Sequence, residues 1–178
     1  ISGTGSNLKS LILFSKLKKS PISINLIISN NSKSKGLKLG NIFKIKKKIF
    51  DFENKNLTES KIISELKKNK IDLICLAGFM KILSKKFINN FKGNIINIHP
   101  SLLPKFKGLN THERAIQNKE RYSGCTVHFV NSKLDSGRIV IQKKVKINKN
   151  DTPKTLAKKI LTQEHILYPK AILKIFSL

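Results

Sequence analysis

The stretch Thr58–Ala77, TESKIISELKKNKIDLICLA, decides the fold class. Over Thr58–Asn69 the apolar residues Ile62, Ile63 and Leu66 share one side at helical spacing, and the remaining positions are largely polar. Ile71–Ala77 follows as a nearly continuous apolar run. Such a run suits a strand covered on both faces, as in a parallel sheet. A helix feeding directly into a strand of this kind is half of a βαβ unit.

The same alternation extends outward in both directions. Ile1 reads as the tail of a first strand whose earlier residues lie ahead of it. Gly3–Asn7 then makes a turn, Ser10–Lys19 has helical spacing and Ile22–Ile28 reads as a buried strand. A short helix is expected near Gly36–Phe43 and a strand over Lys46–Phe52. Further on, Ser84–Phe91 reads as helix, Asn94–Ile98 as strand and Thr111–Lys119 as helix. Gly124–Val130 and Ile139–Ile147 read as strands. Thr152 can cap a last helix, with Pro153 suited to its first turn. The expectation is one α/β domain over residues 1–178, a mainly parallel, twisted, Rossmann-like sheet flanked by helices. Ligands of such sheets bind beyond the carboxyl ends of the strands. Residues just after Ile1, Ala77, Ile98 and Val130 are therefore the ones to inspect.

A net charge of +26 suggests a nucleic-acid binder at first sight. Its distribution argues otherwise. Lysine, isoleucine and asparagine, whose codons are all A/U-rich, number 33, 26 and 17 of the 178 residues. Arginine, the better reader of phosphate and guanine, occurs only at 114, 121 and 138. The lysines form no single stripe, so the charge reads as a solvated surface with no specific nucleic-acid partner. No apolar run approaches the roughly 20 residues of a membrane-spanning helix. Cys75 and Cys125, each in an apolar run, make neither a metal-ligand pattern nor a disulfide framework; they read as buried thiols of a cytoplasmic protein.

Three places carry candidate chemistry. Ser2–Leu8, SGTGSNL, combines two glycines with the start of a helix, whose free N–H groups suit a phosphate, although an ordinary strand-to-helix turn has the same look. Asn97–Pro104, NIHPSLLP, is the strongest signal. Residues two apart in a strand share a face, so Asn97 and His99 aim together at the strand's end. One supplies a neutral amide donor and the other an imidazole that titrates near neutrality. Such a histidine needs an orienting carboxylate. With only ten acidic residues in the chain, Asp135 in the loop Asn131–Gly137 is a candidate, and a simple Asp-Ser-Gly turn is the alternative.

The segments ISGTGSNL (1–8), AGFMKILS (77–84), NIHPSLLP (97–104), FKG (106–108), GCTVHFV (124–130), LDSG (134–137) and QEHILYP (163–169) together resemble the phosphoribosylglycinamide formyltransferases, in order and spacing. The resemblance implies transfer of the formyl group of 10-formyltetrahydrofolate, as co-substrate, to the amine of glycinamide ribonucleotide in purine synthesis, without a metal. It implies a catalytic trio of Asn97, His99 and Asp135. It matches Gly5, Ser6 and Asn7 to the loop that holds the nucleotide phosphate, and Glu164 to an acid that helps bind that substrate. Met80, Lys81, Ile82 and Leu83 match the backbone segment that holds the pterin of the folate, Asn97 also faces the folate, and Lys55 falls near a basic position associated with it. Leu161 and Asn110 stand where related members carry Gln and His. The nearest alternatives are a formyltetrahydrofolate hydrolase, a group that usually has His where Pro100 stands, and another formyltransferase of the same fold. A basic nucleic-acid-binding protein is the distant one.

Overall fold

A computed structural model describes residues 1–177. The chain forms two compact units, Ile1–Ile96 and Asn97–Leu178. The strand β4, Asn94–His99, begins in the first and ends in the second.

In the first unit α1, Ser6–Ser15, starts four residues earlier than its apolar spacing indicates, because Gly5 turns the chain directly into it. Strand β1 is Leu26–Ser29 and pairs in parallel with β2, Lys46–Ile49, from Leu26↔Lys46 to Ser29↔Ile49. Pairing therefore covers only the end of the apolar run that begins at Ile22. All four β2 side chains are exposed and three are lysines, which keeps a short strand from recruiting another chain. A 3-10 turn, Lys35–Leu37, leads into α2, Lys38–Ile42. The core here is Leu8 and Ile12 of α1 with Ile27 and Leu37, against which Ile24, Phe43 and Ile45 pack. Helix α3, Lys55–Lys68, begins with an Asn54 cap on the Leu57 N–H. It buries Ile62 and Leu66 and leaves Ile63 partly exposed. Strand β3, Leu73–Leu76, and α4, Lys85–Asn90, follow.

In the second unit α5, Thr111–Gln117, precedes an antiparallel pair, β5 (Tyr122–Phe129) and β6 (Ile139–Lys146). The pairing is parallel at β1–β2 and antiparallel at β5–β6, and the α/β class is the one expected from the sequence. The β5–β6 register breaks between Val127 and His128, which face Ile141 and Ile139, so Val140 is an extra residue on β6. The last helix, α6, is Pro153–Ile175. Thr152 and Thr155 cap each other's backbone there, and Pro153 occupies the first turn as expected. Leu156, Ile160, Tyr168 and Ile172 of α6 are fully buried. Each such apolar side chain contributes about 1.5–3 kcal/mol relative to exposure. Among the described residues no helix is long and apolar enough to cross a membrane.

Candidate active site

The second unit holds a cluster built from side chains. Strand β4 delivers Asn97 and the buried His99 at its end. His99 Nε2 lies 2.9 Å from the Phe106 carbonyl oxygen, and its Nδ1 lies 3.4 Å from Asp135 Oδ2. Because a carbonyl oxygen only accepts, Nε2 carries a proton. Asp135 Oδ2 also accepts from the Gly108 N–H at 2.9 Å. Asp135 sits at φ 44°, a left-handed conformation that Asp and Asn tolerate. The backbone of Asp135 thus makes the turn while its carboxylate faces the His99 imidazole.

A fourth residue completes the cluster. His128 of β5 is 2 % exposed. Its Nε2 is 3.3 Å from Asn97 Nδ2 and 3.6 Å from Asp135 Oδ1, and its Nδ1 is 2.8 Å from the Phe129 carbonyl oxygen. Sequence reading missed it, although a histidine in the buried strand nearest a candidate acid is a usable signal.

The loop leaving β4 is held from below. Thr126 of β5 donates to the Ser101 carbonyl at 2.6 Å and accepts from the Leu103 N–H at 3.1 Å. Gln142 of β6 donates to the Leu103 carbonyl at 2.8 Å and to Thr126 Oγ1 at 2.9 Å. These bonds fix the path to Phe106, whose carbonyl orients His99. Arg114 of α5 donates to the Lys107 carbonyl at 2.7 Å and lies over the Phe106 ring.

Electrostatics around His99 pull both ways. Burial is the largest influence and lowers its pKa, whereas the Phe106 carbonyl and the Asp135 carboxylate raise it, and His128 and Arg114 lower it further. The net direction is down. Asp135 thus raises the His99 pKa, but desolvation outweighs it. For Asp135 itself burial is again the largest influence and raises the pKa; contacts with His128, the Gly108 N–H and His99 reverse it, and the carboxyl is held below its ordinary value.

Glu164 lies buried on α6, and its charge adds to burial in pushing the Cys125 thiol up to about 12. Neither cysteine is in a disulfide; Cys125 is buried and Cys75 only partly so.

The first unit carries the other sequence candidates. Gly5 caps α1 at φ 80° and supplies no side-chain cap, so Ser6 and Asn7 open the helix directly after it. A Cβ on Gly5 would meet Gly36 Cα at 2.5 Å. The close approach that demands glycine here is to protein backbone. Ser2 ties this loop to the next one: its N–H donates to the Gly78 carbonyl at 3.2 Å, and its hydroxyl accepts from the Met80 N–H at 3.0 Å. The Met80–Leu83 segment has no regular secondary structure; Met80 and Ile82 are 66 % and 61 % exposed, Lys81 is exposed and Leu83 is buried. Its far end is anchored by Glu59 of α3, a buried carboxylate that accepts from the Ser84 N–H at 2.8 Å and from the Ser84 hydroxyl. Ser84 in turn caps α4 on the Phe87 N–H. Lys55 is exposed in the first turn of α3.

A family model described as "Formyl transferase" matches residues 1–172. The human trifunctional purine biosynthetic protein adenosine-3 is 40 % identical over 97 % of the chain, which spans only 17 % of that protein. The phosphoribosylglycinamide formyltransferase of Haemophilus influenzae is 41 % identical over 97 % of this chain and 82 % of its own length. The crystal structure of phosphoribosylglycinamide formyltransferase from Anaplasma phagocytophilum superposes with a TM-score of 0.91, at 42 % identity, covering 97 % of this chain and 81 % of that one. The chain belongs to the formyl transferase family.

Proposed function

We propose that the chain transfers the formyl group of 10-formyltetrahydrofolate to the primary amine of 5'-phosphoribosylglycinamide, the reaction named for its relatives, and that residues 1–178 act as one catalytic domain in the cytoplasm. The observation that carries this reading is the cluster of Asn97, Asp135 and the buried His99 and His128 at the end of β4, in a chain that matches the family over 172 residues.

In this reading the substrate amine attacks the formyl carbon and a C–N bond forms. The formyl oxygen takes up negative charge in the tetrahedral intermediate. Collapse breaks the bond to the folate nitrogen, which gains a proton while the new amide nitrogen loses one. Asn97 donates a hydrogen bond to the oxygen as charge develops; one donor of this kind is worth about 10²-fold or more in rate. His99 is the proton carrier. Its lowered pKa favours the neutral imidazole near pH 7, the form that accepts a proton from the attacking amine. Asp135 then stabilises the imidazolium that forms. Gly5, Ser6 and Asn7 receive the substrate phosphate at the start of α1. Glu164 helps bind the same substrate. Met80, Lys81, Ile82 and Leu83 receive the pterin through their backbone, with Asn97 also facing the folate and Lys55 contributing positive charge.

The test is to supply the folate with a carbon-13 formyl group to purified protein. Label appearing in formylglycinamide ribonucleotide, dependent on the ribonucleotide, supports the transferase. Label released as formate regardless of the ribonucleotide overturns it in favour of the hydrolase.

A further inference from the structure

His128 has no role in the reaction as written above, yet it is among the most buried polar side chains of the second unit. Several features aim it. The bulge opposite Val127 and His128 shifts the strand register at this point. Gly137 lies so close to Phe129 that a Cβ there would fall 1.7 Å from the Phe129 carbonyl oxygen. The Phe129 N–H donates to the Arg138 carbonyl at 2.9 Å. The Phe129 carbonyl is thereby held where His128 Nδ1 meets it at 2.8 Å.

That contact settles the proton on Nδ1, since the carbonyl can only accept. In the neutral ring Nε2 then bears a lone pair and can only accept in turn. Its nearest polar neighbour is Asn97 Nδ2 at 3.3 Å, an amino group that can only donate. Asp135 Oδ1 is farther, at 3.6 Å, and Asp135 is engaged through its other oxygen by Gly108 and His99. Turning the Asn97 carboxamide over would set its oxygen against the Nε2 lone pair.

We propose that His128 is a positioning residue: as the Nδ1–H tautomer, held by Phe129, it fixes which end of the Asn97 carboxamide faces His128 and so leaves the second amino hydrogen of Asn97 for the formyl oxygen. The inference rests on the role given to Asn97 in the proposed function. A free primary amide rotates between two orientations of similar shape, and only one of them offers a donor to the reacting oxygen. His128 removes that ambiguity without touching either substrate.

The experiment is a double-mutant cycle on the full chain, with unfolding temperature measured alongside. His128→Leu lowers kcat about tenfold and leaves both KM values within about threefold, because the oxygen contact weakens only as it forms. His128→Gln, whose side-chain oxygen can accept near the Nε2 position, restores most of that rate. In the Asn97→Ala background His128→Leu costs less than about a further twofold, since a residue acting through Asn97 has nothing left to position. Additive losses overturn the proposal. Full activity in Asn97→Ala overturns it together with the catalytic role of Asn97, and that outcome is visible in the single variant. Should His128→Leu fail to fold, the wild-type protein still decides. Long-range proton–nitrogen correlations of nitrogen-15 histidine at neutral pH must show a protonated Nδ1 and a bare Nε2 for His128; the opposite tautomer, or an imidazolium, overturns the proposal.

Discussion

The two units present their candidate groups by different means. In the second, the candidate groups are side chains packed out of water: His99 and His128 are 5 % and 2 % exposed, and each ring nitrogen has a named neighbour. In the first, the candidate groups are backbone. The α1 start and the Met80–Leu83 segment offer peptide groups; Met80, Lys81 and Ile82 stand in solvent, and Ser2 and Glu59 serve as tethers. A site made of side chains is sensitive to what the residue is. A site made of backbone is sensitive to what holds the loop in place.

The largest effect should fall in the second unit. Asn97→Ala should reduce kcat by about 10²-fold or more with little change in either KM, because a donor that acts on developing charge is lost. A rise in KM alone would assign Asn97 to binding. Asp135→Asn comes next. Asn tolerates the same left-handed backbone and can still accept from Gly108, so folding should survive. Removing the carboxylate removes a contribution that raises the His99 pKa. That pKa, already lowered, should fall further in an NMR titration, and kcat should drop at every pH. An unchanged titration would separate Asp135 from His99.

In the first unit the tethers should matter more than the exposed side chains. Glu59→Ala leaves the Ser84 N–H and hydroxyl without their carboxylate partner, a loss of about 1–3 kcal/mol for a buried donor. It should lower the unfolding temperature and raise the KM for folate, while Ile82→Ala, at an exposed position, should change that KM by less than about threefold. The reverse ranking would mean that the segment binds through its side chains. Gly5→Ala should destabilise by roughly 1–3 kcal/mol from overpacking against Gly36 and a positive φ. Gly3→Ala, with open space around it, should be close to neutral. Equal effects would remove the packing argument.

The smallest effect is on stability against pH. Burial lowers the pKa of His99, His112 and His165. A base with a depressed folded pKa favours the native state fully above its unfolded value of about 6.5, and that contribution shrinks as pH falls from there through the folded pKa. Unfolding temperature should therefore decline as pH drops below about 6.5. A flat profile down to the carboxylate range would contradict the lowered pKa of these histidines.

The contrast between the units also explains what could be read from the sequence. Asn97, His99 and Asp135 were legible because strand alternation fixes which side chains share a face and because acids are scarce. The α/β alternation was legible for the same reason: apolar spacing survives in a lysine-rich chain. The start of α1 was not, since Gly5 acts through φ and the proximity of Gly36, which lies 31 positions away. The tethers Ser2, Glu59, Thr126 and Gln142 were hidden because their partners are backbone groups of other loops, which carry no residue signature. His128 was overlooked because a histidine inside an apolar strand looks like core until its neighbours are known. The short β1 followed from pairing length, which β2 sets.

The central claim is that the β4 cluster performs formyl transfer through His99. The direct measurement is the single-turnover rate of ribonucleotide-dependent formyl transfer for wild type and His99→Ala, both shown to be folded by unfolding temperature. His99→Ala should lose about 10²-fold or more in rate, with both substrates still bound. Transfer within a few-fold of wild type in a folded His99→Ala protein would contradict it.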